Sequence, residues 1–452
     1  MKKILIANRG EIALRIIETC KRLGISTIAV YSEADEHMPF VKLADEAFLL
    51  GPGPVQQSYL KADEIIEIAL TAGADAIHPG YGLLSENAGF ARKVRDAGLT
   101  FIGPDAETIE LMGDKIASRI KMKKAGVPVV PGTDDGIGSL EEAITAASEI
   151  GYPIMLKASA GGGGIGMIRC ENEQALSQHF QSIKSRAKAY FGDDVVFLEK
   201  FVENARHIEV QVFGDDEGNI VHLYERNCSV QRRNQKVIEE SPSPCLNEAV
   251  RKQLHSSAVA AAKAVDYRNA GTVEFILSEQ DDFYFLEMNT RLQVEHPVTE
   301  EVTGYDLVEW QIEVARGNGL PVKEQGQINL SGHAIEFRIY AEDPVTFMPS
   351  PGKLSKIESS DTDVRIDAGY EEGGNVTPFY DPMIAKVIVH GDTREEAIRK
   401  SMMFFDSYTI EGVKTNIPLF QKFIGSSEFG DGDYNTNVLA DWLKTNKEDI
   451  KI

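Results

Sequence analysis

Two acidic residues, Glu274 and Glu287, occupy matching positions in two apolar stretches and could bind a metal ion. The stretches TVEFIL and FYFLEMN flank a polar break that contains Asp281 and Asp282, a pattern typical of a β-hairpin. If the turn centres near Gln280 and Asp281, the two carboxylates face each other, whereas a register shift of one residue would separate them. Facing carboxylates repel each other, and Mg²⁺ removes that repulsion while keeping phosphates and waters as further ligands. The pattern therefore predicts a magnesium site but names no reaction.

The residues after this hairpin continue the alternation of polar and apolar side chains. In an extended chain, side chains point to opposite faces in turn, so one edge would carry Glu287, Asn289, Arg291, Gln293 and Glu295. Such a row could hold a metal ion, an anion and a proton acceptor in sequence. The alternative is an ordinary solvated strand face. The facing acids favour the functional interpretation, because a solvated strand rarely places one carboxylate opposite another.

A glycine-rich loop, ASAGGGGIG, lies between the apolar stretches YPIMLK and MIRC. It matches the spacing G-x-G-x-x-G through Gly161, Gly163 and Gly166, but the dinucleotide-binding motif needs a helix after the loop, and a second strand is predicted here. A glycine-rich hairpin can close its backbone amides over phosphates, and Lys157 could meet a phosphate oxygen. The alternative is a linker, although linkers do not normally join two strands so closely. The pattern favours a nucleotide-binding flap.

Composition limits the classes of function. The chain has 452 residues, enough for two to four domains, with 42% apolar and 26% charged residues as in globular proteins. A net charge of −23 argues against a nucleic-acid surface. The cysteines Cys20, Cys170, Cys228 and Cys245 form no C-x-x-C pair, which fits a reducing compartment. With no signal-peptide pattern and no apolar run of about 18 residues, we expect a cytoplasmic protein without a membrane span.

The order of predicted elements indicates an α/β fold. Strands and helices alternate up to about residue 105, which predicts a doubly wound parallel sheet. The turn HPGYG, which includes Tyr81, follows a strand at the end where ligands of such sheets bind, although a tight structural turn explains it equally well. Beyond Pro321 the pattern predicts mainly β-strands. There Arg338 is either the cation of a buried site or a charge on an edge strand.

Two further features leave alternatives open. His207 lies in an alternating strand and is either a phosphate donor or a solvated histidine. The run from Gln231 to Lys236 is a basic island in an acidic chain, and it either binds an anion or is a surface patch.

Seven motifs in order resemble the biotin carboxylase family of the ATP-grasp superfamily. They cover nearly the whole chain and read IANRGEIALRI, HPGYGLLSEN, KASAGGGGIGM, ERNCSVQRRNQK, EMNTRLQVEHPVTE, GHAIEFRIYAEDP and YDPMIAK. The resemblance implies a doubly wound N-terminal domain at 1–112, an ATP-grasp domain at 113–330 with a mobile lid at 131–202, and a mainly β C-terminal domain at 331–446.

The resemblance also implies a reaction. Bicarbonate is phosphorylated by ATP, with Mg²⁺ or Mn²⁺, to carboxyphosphate, whose CO₂ carboxylates N1′ of biotin on a biotin carboxyl carrier protein. We expect this to be the first half-reaction of an acyl-CoA carboxylase, with acetyl-CoA as acceptor in fatty acid synthesis, carboxyltransferase subunits as partners and a homodimer as the assembly. The chain looks like a free-standing bacterial subunit, because it carries no Met-Lys-Met biotinylation site. The alternatives are another ATP-grasp ligase acting on a carboxylate or carbamate, and a catalytically silent nucleotide-binding subunit.

Carried over residue by residue, the resemblance implies a role for each matching position. For ATP it implies Lys115, Lys157, Gly163, Gly164, Glu199, Lys200, Phe201, Val202, His207, Gln231, Asn234, Glu274 and Glu287, with the backbone of Phe201 and Val202 reading the adenine edge. For the metal it implies Glu274, Glu287 and Asn289. For bicarbonate it implies Lys236, Arg291, Gln293 and the Val294 amide, with Glu295 as the base. For biotin it implies Arg338 beside the enolate and Tyr81 near the ring.

Three positions depart from the family pattern. Asn234 stands where histidine is common, Ile165 replaces a frequent arginine and Ala160 a frequent glycine. We expect these changes to affect the ribose contact, flap closure or ATP affinity. None of them removes a residue assigned to the chemical step.

Overall fold

The first part of the chain folds around a parallel five-stranded sheet, as the sequence predicts. The structure, a computed structural model, describes residues 1–159, 166–359 and 363–450. The sheet has the doubly wound order β3-β2-β1-β4-β5. Its strands are β1 Lys3–Ile6, β2 Ser26–Ser32, β3 Glu46–Gly51, β4 Ala76–His78 and β5 Thr100–Phe101, and its helices are α1 Gly10–Arg22, α2 Pro39–Leu43, α3 Ala62–Thr71, α4 Ala88–Asp96 and α5 Ala106–Gly113. The edge strand β3 and the helices α2 and α5 were not anticipated from the pattern.

A small three-stranded sheet follows and carries the lid region. Its order is β7-β6-β8. The elements are α6 Lys115–Lys124, α7 Leu140–Ile150, β6 Ile154–Ala158, β7 Met167–Cys170, α8 Glu173–Phe191 and β8 Val196–Lys200. A capping box of Ser139 and Glu142 opens α7, and β6 pairs antiparallel with β7, as expected for strands that flank a hairpin. The flap positions Ala160, Gly161, Gly163, Gly164 and Ile165 lie outside the described residues.

An eight-stranded sheet forms the centre of the molecule. Its order is β13-β12-β9-β10-β11-β14-β19-β17. The strands are β9 Arg206–Gly214, β10 Ile220–Arg232, β11 Gln235–Ser241, β12 Asn269–Leu277, β13 Phe283–Asn289, β14 His333–Tyr340, β17 Arg365–Ala368 and β19 Met383–Gly391, and the helices within this stretch are α9 Glu248–Ala264, α10 His296–Thr303 and α11 Leu307–Ala315. Because β11 pairs with β14, the sheet is continuous across residue 330, where the sequence predicts a domain boundary.

The C-terminal part adds short strands and four helices. The short strands are β15 Gly352–Lys353, β16 Lys356–Glu358, β18 Asn375–Val376 and β20 Thr409–Glu411, and the helices are α12 Arg394–Ser407, α13 Ile417–Phe423, α14 Ser427–Gly430 and α15 Val438–Ile450. Thr393 caps α12, whereas α13 to α15 were not anticipated. No helix of the described residues is long and apolar enough to cross a membrane.

Candidate active site

The hairpin of β12 and β13 places Glu274 directly opposite Glu287, as the sequence predicts. The Asn289 side-chain amide donates to Glu274 Oε1 at 2.9 Å, so the three predicted metal ligands lie together. Burial and the neighbouring Glu274 raise the pKa of Glu287. Burial would also raise the pKa of Glu274, but Lys236 and His207 lower it well below its ordinary value. One acid is thus ionised beside another that resists ionisation, an arrangement that a divalent cation with oxygen ligands would relieve.

The extended row predicted beyond Asn289 is wrong. Strand β13 ends at Asn289, and residues 290–295 form an irregular loop before α10 begins at His296. Periodicity alone cannot distinguish a strand from a loop whose side chains happen to alternate. The loop nevertheless turns back onto the carboxylate pair, since Gln293 Nε2 donates to Glu274 Oε1 at 3.0 Å.

Lys236 is the cation on which the acidic side chains converge. Its Nζ donates to Glu209 Oε2 at 2.5 Å, Glu274 Oε1 at 2.9 Å and Glu295 Oε1 at 2.7 Å. Burial would lower the pKa of Lys236, but nearby Cys228 and these acids raise it well above its ordinary value. The site therefore holds a fixed positive charge.

Glu209 is a residue of this cluster to which the sequence analysis gave no role. It is fully buried, and the equally buried Arg226 donates to its Oε1 at 2.5 Å. Ligand atoms of His207, Glu209 and Glu274 also lie within 4.8 Å of one another. Because the Lys236 ammonium contacts two of these three residues, the group is less suited to a cation than the Glu274–Glu287 pair.

Glu295 lies between two cations. Besides Lys236, Arg338 Nη2 donates to Glu295 Oε2 at 3.0 Å, and Arg338 Nε forms an ion pair with Glu239 Oε1 at 2.7 Å. Burial would raise the pKa of Glu295, but Lys236 and Arg338 lower it well below its ordinary value. Arg338 is thus the buried-site cation, not an edge-strand charge.

Arg291 has a partner that the sequence analysis missed. Its Nε donates to Glu86 Oε2 at 2.8 Å, and the Thr290 amide donates to Glu86 Oε1 at 3.2 Å. Glu86 lies 205 residues away in the chain, within the motif HPGYGLLSEN. This motif was the only sequence signal that pointed to Glu86, because no local pattern links Glu86 to Arg291. On its other side, Arg291 Nη2 donates to Asn289 Oδ1 at 3.1 Å.

A small pocket next to the carboxylate pair gathers the predicted phosphate-binding lysines. It is lined by Lys115, Arg119, Lys157, Phe197, Glu199, Phe285, Leu286 and Glu287. Lys157 Nζ donates to Glu199 Oε2 at 2.5 Å. Burial lowers the pKa of Lys115, with Glu287 opposing that effect. Two lysines, Lys115 of α6 and Lys157 of β6, therefore line the pocket.

Other predicted nucleotide residues are placed by further contacts. His207 Nε2 lies 2.9 Å from Glu274 Oε2, and Gln231 Nε2 lies 2.9 Å from His207 Nδ1, so His207 is not a solvated strand histidine. Lys200 Nζ donates to the carbonyls of Gly151 and Tyr152 at 2.9 and 3.0 Å.

The backbone of the predicted adenine-binding segment is partly engaged. The Phe201 amide, proposed to read adenine, donates to the Pro153 carbonyl at 3.1 Å, so this N–H is used within the lid, and Val202 is half-buried beside it.

Two predicted ligand residues stand apart from these contacts. Asn234 is exposed in the β10–β11 turn with a φ of +65°. The Tyr81 hydroxyl has no hydrogen-bond partner within the described part of the chain, although Asn8 Nδ2 donates to the Tyr81 carbonyl at 2.8 Å.

Three family profiles match the chain in sequence order. They are the biotin carboxylase N-terminal domain at residues 1–109, the ATP-binding domain of the carbamoyl-phosphate synthase L chain at 114–323, and the biotin carboxylase C-terminal domain at 336–441.

Known proteins resemble the whole chain. It is 57% identical to a biotin carboxylase of Halalkalibacterium halodurans, with 98% of each chain covered. It matches a Campylobacter jejuni biotin carboxylase structure, a complex with β,γ-ATP, at a TM-score of 0.95 and 47% identity, covering 97% of this chain and 98% of that one. It also matches the biotin carboxylase domain dimer of the Hydrogenobacter thermophilus 2-oxoglutarate carboxylase, solved with MgADP, ADP and bicarbonate, at a TM-score of 0.95 and 46% identity, covering 100% and 99%. The chain therefore belongs to the biotin carboxylase family of ATP-grasp enzymes, which are ATP-dependent ligases.

Proposed function

We propose that this chain phosphorylates bicarbonate with ATP and transfers the resulting CO₂ to biotin on a carrier protein. The observation that carries the proposal is the meeting of Lys236, Arg338 and Glu295 beside the Glu274–Glu287 pair. Two cations around an ionised carboxylate form a site for a small anion next to its proton acceptor. The pocket lined by Lys115, Lys157 and Glu287 supports binding of the ATP phosphates next to the same carboxylate pair.

At the phosphate end, the side chains position ATP and neutralise its charge. Phosphoryl transfer depends mostly on these two effects, and Lys115 and Lys157 supply positive charge in the pocket. Lys157 pairs with Glu199 in this structure, so a phosphate would compete with that carboxylate for the ammonium. When bound, a magnesium or manganese ion held by Glu274, Glu287 and Asn289 would neutralise further phosphate charge.

At the bicarbonate end, Lys236, Arg291, Gln293 and the Val294 amide would hold the anion. Glu295 removes its proton, and the bicarbonate oxygen attacks the γ-phosphorus of ATP as ADP leaves. The low pKa of Glu295 makes it a weak base while Lys236 and Arg338 contact it. A bound anion would share those cations, which moves the pKa of Glu295 back toward the range that suits a general base.

At the biotin end, Arg338 would face the ureido oxygen and Tyr81 the ring. Carboxyphosphate breaks down to CO₂ and a phosphate trianion, that phosphate accepts the N1′ proton, and the deprotonated N1′ attacks the CO₂ to give N-carboxybiotin. A ureido nitrogen is a poor nucleophile until it loses its proton, and a guanidinium beside the oxygen stabilises the enolate form that results.

The wider context that we propose is an acyl-CoA carboxylase. The biotinyl carrier and carboxyltransferase subunits would be its partners, the chain would act as a cytoplasmic homodimer, and acetyl-CoA would be the final acceptor for fatty acid synthesis. A relative whose structure is titled a 2-oxoglutarate carboxylase is 46% identical, so the acceptor must be tested. Reconstitution with carrier and transferase from the same source, and a panel of acyl-CoAs and 2-oxo acids, would identify it.

Transfer of labelled carbon tests the proposed reaction. We expect wild-type protein with MgATP and free biotin to release ADP and to fix ¹⁴C-bicarbonate into carboxybiotin. Glu295→Gln should lower turnover by about 10²- to 10⁴-fold, the contribution typical of a general base, with ADP affinity retained. Glu279→Gln, at the exposed tip of the same hairpin, is the control and should match wild type. ADP release that ignores biotin would indicate another ATP-grasp ligase, and no turnover at all would indicate a silent subunit.

A further inference from the structure

The loop at 290–295 carries much of the proposed bicarbonate site, yet it belongs to no strand or helix. Two of its backbone groups, the Thr290 amide and the Val294 carbonyl, bond to side chains from distant parts of the chain. One of them is Lys386 of β19, which is fully buried and whose Nζ donates to the Val294 carbonyl at 2.8 Å. Lys386 lies opposite Arg338 in the sheet, within the motif YDPMIAK, to which the sequence analysis gave no role.

Two carboxylates also lie within ion-pair distance of the Lys386 ammonium, at longer range. Glu11 Oε2 of α1 is 3.4 Å away, and Asp367 Oδ2 of β17 is 4.0 Å away. Charge-assisted N–H···O bonds are typically about 2.7–2.9 Å long, so the contact to the Val294 carbonyl is the best directed of the three. A buried ammonium is costly unless it is paired and hydrogen-bonded. The directed bond to the Val294 carbonyl therefore gives Lys386 a structural role in addition to its ion pairs.

We propose that Lys386 is a positioning residue for the bicarbonate site, an inference that rests on the proposed function. The Val294 carbonyl belongs to the planar peptide that joins Val294 to Glu295. Holding that oxygen fixes the plane of this peptide, and with it the position from which the Glu295 side chain starts. Lys386 thus acts on bicarbonate through the backbone and contacts no substrate itself.

Steady-state kinetics of Lys386→Met test this role, because methionine keeps the length and apolar stem but has no donor. A misplacement of about 1 Å can cost about 10²-fold in rate. We therefore expect kcat/KM for bicarbonate to fall by about tenfold or more, while the Kd for ADP stays within about twofold of wild type. A kcat/KM for bicarbonate that matches wild type would overturn the inference. If the wild type itself shows no bicarbonate-dependent turnover, the proposed function fails. Hydrogen exchange then still tests whether Lys386 holds the loop at 290–295 in place.

Arg394→Met is the matched control for loss of a buried cation. Arg394 also pairs with a buried glutamate, Glu240, and donates to backbone carbonyls at Phe429 and Gly430, but it contacts nothing in the loop at 290–295. The Arg394→Met variant should leave the KM for bicarbonate unchanged. An equal rise in KM for both variants would mean that the effect is general destabilisation and would contradict the inference.

Hydrogen exchange gives a readout without turnover. Peptides that cover residues 290–296 should exchange at least about tenfold faster in Lys386→Met than in wild type, since an opened loop loses protection, and the same peptides should be unchanged in Arg394→Met. If Lys386→Met does not fold, Lys386→Arg, which keeps a cationic donor, should retain loop protection and most of the kcat/KM for bicarbonate. Faster exchange or a full loss of kcat/KM in a folded Lys386→Arg protein would also overturn the proposal.

Discussion

At the scale of single residues, identical side chains acquire opposite properties from their neighbours. Burial raises the pKa of Glu239 to about 7 although Arg338 opposes it, and raises that of Glu336 well above its ordinary value although Lys386 opposes it. Glu239 and Glu336 face each other across β11 and β14, so each disfavours ionisation of the other. Glu295, held by two cations, is shifted in the opposite direction. The cations thus determine which acid near Arg338 can act as a base.

The pH dependence of stability should show the titration of a neighbouring acid, Glu11. Burial raises its pKa from 4.5 to about 7, with Lys386 opposing and Asp367 adding to the shift. The folded state therefore binds this proton more tightly than the unfolded state, and this contribution to stability is lost as the pH rises from about 5 to 7.5, by about 2–3 kcal/mol. The Glu11→Gln side chain does not titrate in this range, so the variant lacks this pH-dependent contribution to stability.

Urea unfolding of Glu11→Gln and wild type across this pH range measures the effect. The unfolding free energy of the variant relative to wild type should rise with pH by about 2–3 kcal/mol. The exposed Glu33 provides the control, and Glu33→Gln should show no such trend. A difference between Glu11→Gln and wild type that stays flat with pH would contradict the assignment.

At the scale of elements, local patterns predicted what local interactions decide. Two apolar strands and a turn at Asp281, whose φ is +65°, were enough to predict that Glu274 faces Glu287, but this pairing also depends on a register shift between Glu274 and Phe275 that no local pattern indicated. The loop after Asn289 was mistaken for strand, because its shape depends on contacts from Glu86 and Lys386 that no local window contains.

The Asn234 departure also has a local explanation in the β10–β11 turn. Arg233 and Asn234 both have positive φ, +50° and +65°. This is the conformation of a two-residue hairpin turn in which asparagine is favoured.

The facing acids of the β12–β13 hairpin should lower the stability of the metal-free protein and allow it to bind a metal ion. Glu287→Gln removes a like-charge pair, so we expect the metal-free protein to gain about 1 kcal/mol or less in unfolding free energy. The rise in Tm on adding MgADP should shrink, because stabilisation by a ligand follows its affinity for the folded state.

Thermal unfolding with and without MgADP, with Asp282→Asn as control, checks this pair of effects. Asp282 is an exposed acid of the same hairpin, and its amide variant should keep the full Tm rise. A full MgADP-dependent rise in Glu287→Gln would remove that residue from the metal site.

At the scale of the whole molecule, the site is assembled from every part of the chain. Glu86 comes from the N-terminal sheet, the carboxylate pair from the central hairpin, and Arg338 from the strand that continues the same sheet into the C-terminal part. Ordered motifs were enough to predict the family and the fold class. The contacts of Glu86, Glu209 and Lys386 were not predictable, since they join residues far apart in sequence and only the folded topology brings them together.

A crystal structure with Mn²⁺, ADP and bicarbonate tests most directly whether these parts form one site. Manganese substitutes for magnesium at oxygen ligands, and its anomalous scattering locates it independently of the protein density. The account predicts an anomalous peak bound by Glu274 and Glu287, with bicarbonate between Lys236, Arg291 and Glu295. A peak elsewhere, or Glu274 and Glu287 turned apart with no ion beside them, would contradict it.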